Sequence, residues 1–181
     1  MADIAGEAAQ PFGNPDILIN AAGINTRQPA DEMTDEYWDL TQNLNVAAPF
    51  FLAKAFVPGM RSQGWGRIIN FASLQSQRAF KNGISYGTSK GAVEQMTRAM
   101  AEAWSPDGIT ANSIAPGFFP TELTESVFSD PELSARNAAQ TCIGRNGEIR
   151  DMEGPVIFFC SNASNYITGQ TLFVDGGYTA K

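Results

Sequence analysis

Residues 67–104 read RIINFASLQSQRAFKNGISYGTSKGAVEQMTRAMAEAW, a short apolar run followed by a long helical pattern. The run Arg67–Phe71 has the length and apolar character of a strand in a buried parallel sheet. The pattern from Ser85 to Trp104 is rich in Ala and Met and stops before Pro106, which is typical of a helix. Strand-then-helix units build parallel α/β sheets, so this stretch predicts that fold class.

The same alternation continues on both sides of this stretch. Further strand-length apolar runs are separated by helical patterns, and no internal repeat or inter-domain linker interrupts them. We therefore expect a single domain over residues 1–181, folded as a three-layer α/β sandwich around a mostly parallel sheet of about four strands. The other expected strands are Asp16–Asn20, Thr110–Ile114 and Thr171–Val174.

The long helix after the first strand is expected to be distorted. Thr34, which two acidic residues follow, has the pattern of an N-cap for a helix that runs towards Met60. Pro49 lies inside this helix, cannot donate a backbone hydrogen bond and clashes with the carbonyl of Asn45, which predicts a kink there. The remaining helical patterns are 1–12, 122–128, 131–139 and 148–160, of which the middle two are candidates for a mobile cover over a site.

The composition excludes several classes of function. A net charge of −7 disfavours a nucleic-acid surface, and the absence of histidine removes the commonest zinc ligand and the usual base at neutral pH. Cys142 and Cys160 do not form a CxxC motif, and no signal sequence or membrane-length apolar stretch occurs. We expect no metal, nucleic-acid or membrane partner, and a reducing, cytoplasmic setting.

Three side chains are candidates for catalysis. Tyr86 and Lys90 stand four residues apart, on the same face of the predicted helix. A tyrosine becomes a base at neutral pH only if its pKa falls by about 3 units, or roughly 4 kcal/mol of phenolate stabilisation, part of which a nearby ammonium supplies. Ser73 ends a strand, where doubly wound folds hold ligands. Each also has a structural reading: a surface pair for Tyr86 and Lys90, and a turn or helix cap for Ser73.

Taken together, the order and spacing of these residues resemble the short-chain dehydrogenase/reductase family over essentially the whole chain. The resemblance implies a Rossmann-like sheet that lacks its N-terminal half. The matching positions are Asn20-Ala21-Ala22-Gly23 for the family's Asn-Asn-Ala-Gly, the helix residue Asn45, the catalytic serine Ser73, the pair Tyr86 and Lys90, the Pro116-Gly117-x-x-x-Thr121 element, and Phe173-Val174-Asp175-Gly176-Gly177 for the final strand.

The resemblance implies oxidoreduction between a secondary alcohol and a ketone with NAD or NADP. Tyr86 would exchange a proton with the substrate oxygen, and Lys90 would lower the pKa of Tyr86 and bind the nicotinamide ribose. Ser73 would orient the carbonyl or alcohol. Asn45 would hold a water that relays protons from Lys90 to solvent; its structural alternative is to stabilise the kink only.

The resemblance also places the cofactor contacts. Asn20, Ala21, Ala22 and Gly23 would let the backbone approach the adenosine side, since glycine has no Cβ to obstruct contact. The nicotinamide end would meet a second set, with Thr121 on the carboxamide, although a turn followed by a helix cap is the structural alternative. That second set comprises Pro116, Gly117 and Thr121, together with Tyr86 and Lys90.

The family resemblance also implies a substrate class and an oligomeric assembly. The segments 104–106 and 116–121 are similar to those of sugar-acid and polyol dehydrogenases of the gluconate 5-dehydrogenase type, with 3-oxoacyl carrier-protein reductases as the rival. Family members usually form homo-oligomers through their two long helices, which implies a dimer or tetramer built on residues 37–60 and 85–104. The apolar residues of these helices could instead face the core.

The sequence lacks the glycine-rich turn that holds a pyrophosphate in this family. The missing strands and helices need roughly 60 or more residues, while 15 residues precede Asp16. The first strand is then an apolar edge, and a weak or absent response to dinucleotides is expected. Three explanations stay open: a shortened sequence of a normal enzyme, a dimer that pairs its open edges without ordinary cofactor binding, or a non-catalytic interaction protein.

Overall fold

The computed structural model describes residues 2–181, with side chains described for residues 4–181. Its strands are β1 (Ile17–Asn20), β2 (Gly66–Phe71), β3 (Ile109–Pro116) and β4 (Thr171–Val174). Within the described chain these four strands form one sheet in the order β1-β2-β3-β4, and every pair of neighbours is parallel. The predicted four-stranded parallel sheet is confirmed.

The helices follow the strands as the alternation predicts. None of those described combines the length and the apolarity needed to cross a bilayer. They are α1 (Ala2–Ala9), α2 (Asp35–Gln42), α3 (Ala48–Gln63), α4 (Ile84–Trp104), α5 (Glu125–Phe128), α6 (Pro131–Gln140) and α7 (Glu153–Cys160).

Two helical layers cover the two faces of the sheet. Neighbouring residues of a strand point to opposite faces, so Ile68 and Ile69 enter different clusters. Ile68 packs in a buried cluster with Met60 of α3 and Met100 of α4. Ile69 packs with Phe159 of α7 on the other face. This division produces the expected three-layer sandwich.

The predicted distortion lies between α2 and α3. Residues Asn43–Ala47 form a π-helical turn. The N–H of Ala48 donates to the carbonyl of Asn43, five residues back, whereas an α-helix would use the carbonyl four residues back. Pro49 follows at the start of α3 and supplies no N–H for the carbonyl of Asn45. The turn widens at this point, and Asn45 becomes buried inside it.

Several helix boundaries differ from the predicted ones for local reasons. The first helix ends at Ala9 rather than Phe12, and Met1 lies outside the described residues. α3 continues to Gln63, past the predicted Met60, and ends where Gly64 takes a left-handed φ of 67°. The 122–128 and 148–160 patterns each begin with a 3₁₀ turn, Glu122–Thr124 and Ile149–Met152.

β1 lies at the edge of the sheet within the described chain. It pairs with β2 on one side only, and its side chains Ile17 and Ile19 remain 39% and 41% exposed. The expected apolar edge is therefore present.

Candidate active site

The predicted site residues converge at the carboxyl ends of the strands. The parallel register pairs Asn20 with Asn70 and Asn70 with Ser113, so the loops that follow β1, β2 and β3 leave the same edge of the sheet. These loops and the start of α4 enclose a cavity of about 600 Å³, a volume typical of small-molecule sites. The predicted residues that line it are Ala21, Ala22, Gly23, Ser73, Tyr86, Lys90, Pro116, Gly117 and Thr121.

Tyr86 and Lys90 lie on the inner face of the first turns of α4. Both are buried, and the Nζ atom of Lys90 lies 5.6 Å from the centre of the Tyr86 ring. Lys90 Nζ donates a hydrogen bond of 2.6 Å to the carbonyl of Phe71, at the end of β2. The lysine is thus directed along the cavity wall, and the reading of this pair as an exposed surface pair is wrong.

Burial dominates the ionisation of both groups. It raises the pKa of Tyr86, while the Ser73 hydroxyl and the charge of Arg27 act in the opposite direction. Burial lowers the pKa of Lys90 to about 8. Loss of water around the phenol outweighs its polar neighbours, so the net pKa of Tyr86 is raised, and the lowering expected from Lys90 stays a prediction.

Ser73 both caps a turn and lines the cavity. Its Oγ accepts a hydrogen bond from the backbone N–H of Gln75 at 3.1 Å, which caps the 3₁₀ turn Leu74–Ser76. The same side chain lines the cavity with Tyr86. Because the cap uses the oxygen as an acceptor, the hydroxyl proton stays available for a bound oxygen.

Asn45 lies behind the cavity wall rather than on it. Its amide group accepts from the N–H of Ile24 and donates to the carbonyl of Ile24, both at 2.9 Å, and also donates to Ser89 Oγ at 3.0 Å. A Cβ at Gly23 would lie 3.3 Å from Asn45 Oδ1 and 3.5 Å from Lys90 Nζ. The side chain therefore fastens the loop after β1 to α4, a structural role other than stabilising the kink, and the water relay stays a prediction.

The side chain of Asn20 is used inside the protein. It donates a hydrogen bond of 2.8 Å to Asn70 Oδ1, and Asn70 in turn donates to Thr97 Oγ1. Asn20 is buried and does not line the cavity, unlike Ala21 and the residues that follow. The expected cofactor contact near Asn20 would therefore have to come from its backbone.

The loop after β3 forms the opposite wall. A Cβ at Gly117 would come within 2.8 Å of the Asp175 Cα, so glycine is required there by space. Thr121 lines the cavity and caps the following 3₁₀ turn, with its Oγ1 3.0 Å from Thr124 Oγ1. The cap reading of Thr121 is confirmed, while its contact with a carboxamide stays a prediction.

Arg27 belongs to none of the sequence motifs, although it follows directly on the β1 loop, where a ligand site is expected. Its backbone is left-handed, with a φ of 51°. The guanidinium donates to the carbonyl of Leu123 at 2.7 Å and to Ser126 Oγ, which links the loop to residues 122–128, the first part of the predicted cover. Arg27 lines the cavity and adds a positive charge on the Tyr86 side.

The rest of the lining is largely apolar. Among the described residues, no cluster of His, Cys, Asp and Glu side chains could hold a metal ion. The apolar part of the wall comprises Phe71, Leu74, Phe80, Phe118, Phe119, Leu123, Ile149 and Met152.

Comparison with known proteins gives one consistent family. A family model described as enoyl-(acyl carrier protein) reductase matches residues 1–179. Gluconate 5-dehydrogenase of Gluconobacter oxydans is 40% identical over 178 residues, which cover 97% of this chain and 70% of that protein. 2-Dehydro-3-deoxy-D-gluconate 5-dehydrogenase of Escherichia coli is also 40% identical over 178 residues, with 96% and 69% covered.

A solved structure extends the likeness to three dimensions. The crystal structure of a gluconate 5-dehydrogenase from Burkholderia cenocepacia, in complex with NADP and tartrate, matches with a TM-score of 0.95 at 38% identity. The match covers 99% of this chain and 71% of that one.

The buried ammonium of Lys90 predicts a measurable cost in stability. Replacement by methionine should raise the free energy of unfolding at pH 7 by about 2 kcal/mol, because it removes a charge held in a dry site. The pKa of Lys90 is about 8 when folded and near 10.5 when unfolded, so the unfolded chain binds more protons between these values. The parent should gain stability as the pH rises from about 8 to about 10.5, and the advantage of Lys90→Met should shrink over that window.

Chemical denaturation at several pH values measures this difference. Lys54→Met, on the exposed side of α3, is the matched control and should change stability by less than about 0.5 kcal/mol. A Lys90→Met advantage that does not depend on pH would contradict the assignment of the cost to the buried charge.

Proposed function

Because this chain belongs to the short-chain dehydrogenase/reductase family, we propose that it is an NAD(P)-dependent oxidoreductase that interconverts a secondary alcohol and a ketone, with a sugar acid as its substrate. The observation that carries the proposal is the placement of Ser73, Tyr86 and Lys90 around one cavity. Two of the relatives described above act on gluconate or a derivative of it, by their names. The Burkholderia relative holds NADP.

The cavity suits the nicotinamide end of NAD or NADP. Lys90 is a buried cation whose hydrogen bond, within the described chain, goes to the neutral carbonyl of Phe71. An ammonium has three N–H donors, so two remain for the hydroxyls of a ribose. Gly23 and Gly117 also line the cavity, so the backbone is part of its wall at these two positions. When bound there, the nicotinamide supplies or accepts the hydride of the reaction.

Tyr86 and Ser73 act on the substrate oxygen. The raised pKa of Tyr86 keeps the phenol protonated at neutral pH, so its O–H can give a proton to the oxygen of a ketone as the carbonyl is reduced. Ser73 lines the cavity beside Tyr86, and its hydroxyl donates to the same substrate oxygen and orients it. Lys90 places positive charge close to Tyr86 and favours the phenolate that is left behind. In the oxidation direction the same phenolate takes the proton back.

Arg27 favours an anionic substrate. Its guanidinium has five N–H donors, of which the contacts with Leu123 and Ser126 occupy only part. A carboxylate in the cavity could therefore pair with it, since arginine binds carboxylates in a bidentate manner. Tartrate, held by the Burkholderia relative, is a hydroxy acid of the same kind. This charge supports a sugar acid over a neutral polyol.

The assembly is proposed to be a homo-oligomer built on the long helices, in the cytoplasm. Several large apolar side chains are exposed on α2 and α3, which is typical of surfaces that bind another chain. Cys142 and Cys160 are unpaired, which suits a reducing compartment. The exposed side chains are Tyr37, Leu40, Phe50 and Phe51.

Binding of a nicotinamide cofactor should raise the melting temperature of the purified chain. We expect a saturable rise with NADPH or NADH, because a ligand that binds only the folded state stabilises it. Since the sequence has no glycine-rich pyrophosphate loop, the rise should be small, and reduced nicotinamide mononucleotide should match it. Adenosine monophosphate, which lacks the nicotinamide, is the control. No response to any nicotinamide compound would contradict the proposed cofactor site.

Tyr86→Phe should abolish turnover and leave the fold intact. Loss of a group that transfers a proton lowers the rate by about 10²- to 10⁴-fold, and the ring that packs in the cavity is retained. Reduction of 5-keto-D-gluconate is followed by cofactor absorbance, and folding by circular dichroism and thermal melting. Tyr166→Phe, at a fully exposed tyrosine, is the matched control. Equal rates for Tyr86→Phe and the parent would rule out the proposed role of Tyr86.

Arg27→Gln should weaken binding of acids selectively. We expect KM for D-gluconate to rise about 10- to 100-fold, as for loss of a hydrogen bond to a charged group, and KM for a neutral polyol such as sorbitol to change little. Ser126→Ala is the matched control, because it removes a contact of Arg27 with the cover and keeps the charge. An equal rise in KM for both substrates would show that Arg27 stabilises the position of residues 122–128 and does not bind the carboxylate.

A further inference from the structure

Three aromatic rings from three different loops meet beside the cavity. Phe80 lies on the loop after β2, Phe118 on the loop after β3, and Tyr178 on the turn after β4. The ring centroids of Phe80 and Phe118 lie 6.1 Å apart, and those of Tyr178 lie 6.3 Å from Phe80 and 5.7 Å from Phe118. These separations are typical of favourable aromatic pairs, so each ring is paired with the other two.

Two of the three rings line the cavity, and the third contacts them from outside it. Phe80 and Phe118 are part of the wall, whereas Tyr178 is not. Phe80 lies in the chain between Ser73 and Tyr86, the two residues proposed to act on the substrate oxygen. Phe118 lies on the loop that forms the opposite wall. The two rings therefore form part of the wall on the substrate side.

The hydrophobic core does not fix these two phenylalanines. Both are partly buried, and neither belongs to a core cluster of the described chain. Phe119, the next residue after Phe118, is by contrast 6% exposed. Side chains on loops are more mobile than those of the core, so their position depends on their immediate neighbours. Tyr178 is a neighbour of both rings.

Tyr178 is itself anchored at its backbone and at its hydroxyl. Asp175 is buried, and its two carboxylate oxygens accept from the N–H groups of Gly177 and Thr179, each at 2.9 Å, on either side of Tyr178. The Tyr178 hydroxyl donates to Gln140 Oε1 at 2.7 Å, at the end of α6. None of these partners lines the cavity, so the Tyr178 ring is held independently of a substrate.

We propose that Tyr178 is a positioning residue, which holds Phe80 and Phe118 as one aromatic wall against the carbon chain of the substrate. A sugar acid carries C–H groups as well as hydroxyls, and their burial against aromatic rings contributes to binding. Rings that are fixed before the substrate arrives lose less conformational entropy on binding than mobile ones. The inference rests on the proposed function, in which polar side chains bind the carboxylate and the reacting oxygen.

The test measures KM and kcat for oxidation of D-gluconate at saturating NADP or NAD. Tyr178→Leu should raise KM about 3- to 10-fold, because the two rings lose the neighbour that holds them. The kcat per folded molecule should change less than about twofold, because Ser73 and Tyr86 are untouched. KM does not depend on the fraction of the protein that is folded, so loss of stability cannot imitate the rise.

Two further variants separate the ring from other effects. Tyr178→Phe keeps the ring and loses the bond to Gln140, so its KM should stay within about twofold of the parent value. Tyr166→Leu, at a fully exposed tyrosine, is the matched control for Tyr178→Leu and should leave KM unchanged. An equal rise in KM for Tyr178→Phe and Tyr178→Leu would assign the effect to the bond with Gln140 and overturn the role of the ring.

A background that lacks both phenylalanine rings tests whether Tyr178 acts through them. The double variant Phe80→Leu, Phe118→Leu should already have a raised KM, and addition of Tyr178→Leu should raise it no further, since all three changes remove one wall. A further rise in this background would show that Tyr178 acts by another route, against the proposal.

The outcomes separate the two levels of the proposal. If the parent oxidises D-gluconate and Tyr178→Leu has the KM of the parent, the role of Tyr178 is overturned while the proposed function stands. If the parent oxidises no secondary alcohol with either cofactor, the proposed function is overturned and the role of Tyr178 with it.

Discussion

The hydrogen bonds of the Asn45 side chain hold the site together. One amide group binds both backbone atoms of Ile24 and the hydroxyl of Ser89, and Ser89 in turn donates to the carbonyl of Tyr86 at 2.7 Å. The loop after β1 and the helix with the Tyr-Lys pair are therefore joined through a third element. Asn45 reaches both because Pro49 opens the helix around it into a π turn.

The site contains buried ionisable groups that lower the stability of the fold. Lys90 has its ammonium in a dry place with a carbonyl as its partner, and burial opposes ionisation of both Lys90 and Tyr86. A protein selected for stability alone would place apolar side chains at these positions. Buried ionisable groups that cost stability are usual where side chains must contact a substrate. They mark the cavity as the functional part of the molecule.

The elements and the polar positions on them follow from local patterns. Strand-length apolar runs end where ligands bind in parallel sheets, which predicts Ser73 at the cavity edge, and the family resemblance implies Pro116 there. The four-residue spacing of Tyr86 and Lys90 places them on one helix face by geometry alone. The sheet order and the position of the open edge at β1 also agree with the family resemblance. The sequence, with the family resemblance that it carries, therefore determined the fold class, the strands and nine of the residues that line the cavity.

Only the tertiary structure decided how those residues are used. The Asn20 side chain binds Asn70 and the Asn45 side chain binds Ile24, and these partners lie 50 and 21 residues away along the chain. The pKa of Tyr86 depends on how much water reaches the phenol, which no spacing rule contains. Arg27 belongs to no motif, and it enters the site because the geometry of the loop after β1 brings it there. Long-range packing sets these outcomes, since burial and hydrogen-bond partners exist only once the chain is folded.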